Sequence, residues 1–422
     1  MGMKKVMAIL VLFVSMGCSA MQGMKSHKAT LPEEPPTYEQ EDYDHLGQAS
    51  PYRDLDALEE GAILHVPTGV EVSEDRLFNN LVGSRIIYVG EVHSNMQHHR
   101  VQLKVLEGLE KKFPGQIAVG MEMFQRPAQS ALDQWGEGKL DPKGFEKLFR
   151  ANWSQGYPYY QNIFEWIQKK KIPLIALNVS DEVAIEVSKK GFGKVSDKIK
   201  GDLPDLDPTD PFHRKALEAA FSGHSHGGEK GFEKFLNTML LWDETMAESV
   251  VRFLKSPEGK NKKMVVLAGG FHVARGYGVP RRVFRRFPEP YSIVLPYTPI
   301  REVPKGRPDL LMESSEPLLP LYIADYVWSV GYEEIKEKRV FLGVQIEKAE
   351  EGVRIIDVLP ESVASKAGFQ PGDIVESFDG KRMEEPFDLS YEVGLQQPGD
   401  KVYIEIIRDG KKLEMEATFS AP

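Results

Sequence analysis

The sequence predicts an α/β protein, a mostly parallel sheet flanked by helices with a helical cap, followed by a smaller β-rich domain at the C-terminus. Three observations predict it. Apolar runs of strand length alternate with stretches of helical period through the first 300 residues, the pattern of βαβ units. Two of those runs, IIYV and MVVLA, close on short glycine–histidine motifs, Gly90-Glu91-Val92-His93 and Gly269-Gly270-Phe271-His272. After a proline-rich passage the pattern changes to short strands separated by turns, among them Asp409-Gly410, a strong hairpin signal.

Taken in order, the chain opens with Lys4, Lys5 and the apolar run VMAILVLFV, too short to span a bilayer. Its single cysteine, Cys18, follows directly, so no disulfide can form within the chain. The placement resembles a bacterial lipoprotein signal in which the cysteine becomes the lipidated first residue. Ser15 stands where leucine is usual, and Ser19 suits delivery to the outer membrane. The expectation is a signal peptide over 1–18, then a polar, proline-bearing tether and N-terminal extension over 19–75. The chain would be lipid-anchored in the bacterial cell envelope, facing the periplasm.

The α/β domain is expected over 76–300. Its predicted strands are RIIYVGE from Arg85, QIAVGME from Gln116, IPLIALN from Ile172, KMVVLAG from Lys263 and YSIVLPY from Tyr291. Val101, Val105, Leu106 and Leu109 recur at helical spacing. So do Phe232, Phe235, Leu236, Met239, Leu240, Met246, Val250 and Phe253. The stretch 206–231 is expected in a cap, 301–337 as a linker and 338–422 as the second domain. The net charge of −10 excludes the basic footprint of a general nucleic-acid binder. The one basic cluster, Arg281 to Arg286, reads as a solvated helix face.

Ligands of open parallel sheets bind at the carboxyl ends of the strands. Here those ends carry Glu91 and His93, then Glu122, then Asn178 and Asp181, then His272. Histidine with carboxylate suits a divalent metal such as zinc, with His93, Glu122, His272 and Asp243 as its candidate ligands. It equally suits general acid–base chemistry by Glu91, His93, Glu122 and His272. Asp243 interrupts an apolar helical stripe, so it either meets the site or pairs with a basic neighbour. His98 and His99 read as packing on the first helix, while His224 and His226, a glycine-flanked pair in a loop, either reach the site from the cap or are simply solvated. The aromatic cluster Asn152 to Tyr160 reads as core or cap packing, although tyrosine also ligates haem iron.

The C-terminal part resembles a bacterial PDZ domain over nearly all of Arg339 to Phe419, on VFLGV and SVASKAGFQPGDIVESFDGKRM. The resemblance implies capture of a peptide or protein C-terminus by strand addition. Phe341, Leu342 and Gly343 would form the carboxylate loop, Val344 and Ile346 would face the peptide, and Leu389 and Val393 would flank it.

From about Leu77 to Tyr297, GEVHSNMQHH, GMEMFQRPAQ, NWSQGYPYY, LLWDETMAE and AGGFHVARGYGVPRR together resemble the ChaN-like family of haem-binding lipoproteins. That family is similar in its paired GxxH motifs to the wider Tiki/erythromycin-esterase superfamily. The resemblance implies haem or iron handling at the cell envelope, with haem near His93, His224 and His272, and a possible homodimer. It implies a tyrosine iron ligand among Tyr157, Tyr159 and Tyr160, with Glu91 and Glu122 orienting the histidines. The superfamily link implies a competing reading, metal-dependent hydrolysis.

Overall fold

The computed structural model describes residues 54–154, 156–222, 228–305, 307, 322–335 and 340–420. Cys18, His224 and His226 lie outside the described residues. The chain divides into two compact units, Met1–Ile335 and Lys336–Pro422.

The first unit is built on eight strands, β1 (Ile63–His65), β2 (Val70–Glu71), β3 (Ile86–Val89), β4 (Ile117–Gln125), β5 (Leu174–Asn178), β6 (Lys263–Leu267), β7 (Tyr291–Tyr297) and β8 (Tyr326–Ser329). They lie in the order β2-β1-β8-β7-β3-β6-β4-β5. The six from β8 to β5 are parallel, and β1 pairs antiparallel with both β8 and β2. All five predicted strands form. The other three come from stretches expected as extension and linker, because runs as short as Ile63–His65 and Tyr326–Ser329 carry no readable period.

Burial on both faces explains the apolar runs. Along β3, Ile87 and Val89 face one core with Val105, Leu106 and Leu109, while Ile86 and Tyr88 face the other with Met246, Val250 and Val283. The helix Met96–Lys112 starts where the Asn95 side chain accepts the Gln97 amide, and its last turn carries Lys111 and Lys112, which suit the negative end of its dipole. The helix Gly228–Lys255 buries the predicted stripe at Phe232, Met239, Leu240, Met246, Val250 and Phe253. Of the cap, Pro211–Ser222 is helical, and its Leu217 packs with Phe232 and Met239. The outer edge of β5 is closed by one side chain: Gln129 donates to the Leu174 carbonyl and accepts the Ala176 amide, as a neighbouring strand would.

The second unit is antiparallel throughout: β9 (Val344–Lys348), β10 (Val353–Val358), β11 (Ile374–Phe378), β12 (Lys381–Arg382), β13 (Lys401–Arg408) and β14 (Lys411–Thr418). The order is β14-β13-β11-β10-β9, with β12 on β11. Asp409 and Gly410 both take positive φ, 51° and 73°, the two-residue turn the sequence signalled. Helices Val363–Ala367 and Pro386–Gly394 complete the unit.

Candidate functional site

Val89 of β3 and Met121 of β4 both stand level with Leu267 of the intervening β6, so the chain leaves β3 and β6 beside Glu122 of the longer β4. Gly90 permits that crowding, since a Cβ there would lie 2.5 Å from Leu295 Cδ1 and 3.4 Å from Gly270 Cα. Two hydrogen-bonded centres follow, one on each glycine–histidine motif.

The first is organised by Glu91, which is buried. Its Oε1 accepts the Tyr160 hydroxyl at 2.5 Å and pairs with His93 Nδ1 at 2.5 Å, and its Oε2 accepts Gln102 Nε2 at 2.6 Å. Burial alone would raise the Glu91 pKa. The charges of His99 and His93 and the hydrogen bonds from His93 and Tyr160 outweigh it and hold the carboxyl at about 2. An ionised Glu91 requires the proton on His93 Nδ1, which turns Nε2 away from the carboxylate. Burial lowers the His93 pKa, but the hydrogen bond and charge of Glu91, with Glu122 behind them, raise it overall. The His93 side chain keeps 41 % of its surface exposed, and the half-buried Trp153 meets its ring edge-on at 5.1 Å.

Beneath this loop, His98 Nδ1 accepts the Val92 amide at 2.9 Å and its Nε2 meets Thr298 Oγ1 at 3.0 Å, so Nε2 carries the proton. Burial, with the charge of His99, depresses the His98 pKa to about 3. His99 Nε2 holds the His93 carbonyl at 3.1 Å. Both histidines pack as the sequence suggested, and both shape the loop that carries His93.

The second centre is buried around His272. Its Nδ1 lies 2.6 Å from Asp243 Oδ1 and its Nε2 lies 3.3 Å from Glu122 Oε1. Glu122 Oε2 also accepts the Gly269 amide at 2.6 Å. Burial disfavours a charged imidazole, but the Glu122 and Asp243 carboxylates and their hydrogen bonds raise the His272 pKa to about 10. His272 is therefore an imidazolium with both N–H groups engaged. The same contacts hold Asp243 well below the usual carboxylate range despite its burial. Asp243 Oδ2 meets His213 Nε2 at 2.8 Å, and Arg282 Nη2 donates to His213 Nδ1 at 3.1 Å. A guanidinium only donates, so the His213 proton sits on Nε2 and points at Asp243.

Several expectations change here. Arg281 to Arg286 is not a plain solvated face: Arg282 is buried, and Arg282, Arg285 and Arg286 all pair with the buried Glu244. Asp243 meets the site and basic partners together. Asn178 and Asp181 enter neither centre: Asn178 Oδ1 accepts the Val179 amide, and the Asp181 backbone amide donates to Gln125 Oε1. Tyr160 is fully buried with its hydroxyl committed to Glu91, Tyr159 accepts the Ile335 amide at 3.1 Å, and Tyr157 stacks on Phe164 and meets Phe149 edge-on in the aromatic core. His93, Glu122, His272 and Asp243 do not form a metal cage. Both nitrogens of His272 already donate to carboxylates, and no metal-holding group of three or more His, Cys, Asp or Glu occurs among the described residues. Gln102, His213 and Arg282 escaped the sequence reading; a polar residue inside an apolar helical stripe was the one signal available, and only for Gln102.

In the second unit β9 is an edge strand, paired only with β10. Gly343, at φ +81°, lets the loop pass Ser362, whose Cβ would lie 2.2 Å from an added Cβ. Phe341 is 62 % exposed, and Val344 and Ile346 are half-buried along β9. Leu342, Leu389 and Val393 are 3 %, 1 % and 8 % exposed and belong to the core. The helix Pro386–Gly394 spends this apolar face on the sheet, so these side chains are not displayed at the surface.

Residues 77–283 match the family described as "Haem-binding uptake, Tiki superfamily, ChaN", and residues 340–418 match the PDZ domain. The structure "Cofacial heme binding to ChaN of Campylobacter jejuni" shares the fold with a TM-score of 0.50 at 17 % identity, over 64 % of this chain and 98 % of that one. "Protein RETICULATA-RELATED 5, chloroplastic" of Arabidopsis thaliana is 23 % identical over 291 residues, 64 % of this chain and 37 % of the relative. The periplasmic pH-dependent serine endoprotease DegQ of Escherichia coli is 39 % identical over 67 residues, 16 % of this chain and 15 % of the relative. The chain thus spans well under half the length of either curated relative. Its first unit carries a domain of the ChaN-type haem-binding uptake family, and its second is a PDZ domain.

Proposed function

We propose that the first unit holds haem beside His93, and that the second binds a peptide or protein C-terminus along β9. The observation that carries the haem reading is His93 itself, a half-exposed imidazole whose Nδ1–H is pinned by a buried carboxylate while Nε2 is free of it. That is the arrangement a ligating histidine requires. Haem also needs apolar, aromatic walls with few polar groups. The half-buried Trp153 against His93 and the half-exposed Phe271 beside His272 are of that kind, so the residues fit the group. When bound, haem would supply an iron to which His93 would offer a nitrogen donor.

The chain's own residues divide the remaining work. Glu91 keeps the His93 proton on Nδ1, while Tyr160 and Gln102 keep Glu91 ionised and in place. The His272 imidazolium ties Glu122 to Asp243 under the loop. The haem-binding family match and the haem-bound Campylobacter jejuni structure support the same reading. The test is haemin titration followed in the Soret region. Saturable binding that His93→Ala abolishes supports it, and binding unchanged in that variant sinks it.

Lipidation at Cys18 and attachment to the cell envelope belong to the same proposal, supported by the lipoprotein-like start of the sequence. Replacing Cys18 by alanine is expected to move the protein from the membrane fraction to the soluble fraction. Retention of the variant in membranes would count against an acyl anchor.

A further inference from the structure

The chain leaves the first unit through a short irregular stretch, Gly331–Ile335, that lies across the start of the helix Met96–Lys112. The Glu333 backbone pairs with that helix terminus on both sides: its carbonyl accepts the Met96 amide at 2.7 Å, and its amide donates to Asn95 Oδ1 at 3.0 Å. Asn95 is buried and returns a hydrogen bond from Nδ2 to the Gly331 carbonyl at 3.1 Å. Glu333 Oε2 accepts Gln97 Nε2 at 2.7 Å together with Arg100 Nη1, and Oε1 accepts Arg100 Nη2 at 2.8 Å. Ile335 donates its amide to the Tyr159 hydroxyl.

The first amides of a helix have no partner within it. Here two of them are met by the strap and by the side chain the strap holds, Met96 by Glu333 and Gln97 by Asn95. The Asn95 amide in turn closes on the Val92 carbonyl at 2.9 Å, so the turn that carries His93 is bounded by residues the strap fastens. A half-exposed ion pair alone contributes little. The strap adds backbone hydrogen bonds on both sides of it, and a carboxylate at the positive end of the helix dipole.

We propose that Gly331–Ile335 is a latch that positions the His93 turn, with Glu333 as its positioning residue. The latch rests on the haem reading for its purpose but not for its test. Because Ile335 is the last residue before the second unit, the latch stands where any change in the pull of the connecting chain first arrives.

Hydrogen exchange on the full chain tests it, with Glu333→Pro removing the amide donor and Arg100→Gln loosening only the carboxylate. Exchange at Asn95, Met96 and Gln97 is expected to rise roughly tenfold in Glu333→Pro and about two- to threefold in Arg100→Gln, while Val105 to Leu109 stay protected. Haemin release should quicken in the same order. Faster exchange at Ile335 without any change at 95–97 would overturn the latch. If Glu333→Pro fails to fold, Arg100→Gln decides alone. A wild-type chain that binds no haemin sinks the haem reading, and the exchange pattern still decides the latch.

Discussion

His93 and His272 leave adjacent parallel strands behind matching glycine motifs, yet one side chain keeps 41 % of its surface exposed and the other 7 %. His93 has one carboxylate on one nitrogen. His272 has a carboxylate on each. The motif brings an imidazole to the strand end, and the side chains arriving from elsewhere decide whether it serves a ligand or the fold. Around His93 those arrivals are Tyr160 and Gln102, which act on Glu91 and leave the ring's far side alone. Around His272 they are Asp243 and, behind it, His213 and Arg282, which enclose the ring.

The largest expected effect separates the two by stability. His272→Ala leaves Glu122 and Asp243 buried without their shared cation, a loss of about 3–5 kcal/mol. His93→Ala removes one hydrogen bond to a carboxylate that keeps two other donors, a loss of about 1–2 kcal/mol, and costs haemin binding instead. Urea unfolding of both variants checks this, and equal losses would erase the distinction.

The pH dependence should separate the centres next. His272 titrates at about 10 in the fold against about 6.5 unfolded, so its contribution is complete below 6.5 and is lost as pH rises through 10. His93, also raised, adds to that alkaline limb. Glu91, at about 2, contributes above its unfolded pKa near 4.5 and loses that contribution as pH falls through 2. His98 is kept neutral down to about 3, so its share disappears between 6.5 and 3. Glu122 and Asp243, both lowered, belong to the acid limb as well. The urea midpoint measured from pH 4 to 10 should flatten on the alkaline side in His272→Gln and between 6.5 and 4 in His98→Gln. A His272→Gln profile that matches the wild type would show that the buried ring carries no charge.

Much of this contrast was open to the sequence, and the reason for the remainder is physical. β3 to β7 announce themselves because each is an apolar run with turn residues near its end, and Glu91, His93 and His272 follow from standing just past such ends, with Glu122 level with them inside the longer β4. β1 and β8 are three and four residues long, and β1 reaches the parallel strands only through β8, far away in the chain. His213 and Arg282 lie 30 and 39 positions from Asp243 on separate helices, and no local period ties them to it. Residue type places Leu389 and Val393 on a helix beside the expected peptide strand, but type cannot say how far the core of the second unit buries them. Arg281 to Arg286 shows the same limit: a run of charge reads as solvated until Glu244 is seen beneath it.

The smallest expected effect tests a place where one motif approaches the imidazole of the other. Gly269 has an ordinary φ of −53°, so a side chain there strains no backbone. A Cβ added to it would lie 3.1 Å from His93 Nε2 and 3.5 Å from Glu122 Oε2, a distance at which the imidazole must give by a few tenths of an ångström. His93 can do so because its ring is half in solvent. Gly269→Ala should therefore cost less than about 1 kcal/mol of stability. The methyl would nonetheless stand against the nitrogen proposed to face the ligand, so haemin affinity should fall several-fold while the unfolding midpoint barely moves. A fall in stability without a fall in affinity would mean that Nε2 faces the protein, and that the open side of the cleft belongs to another group.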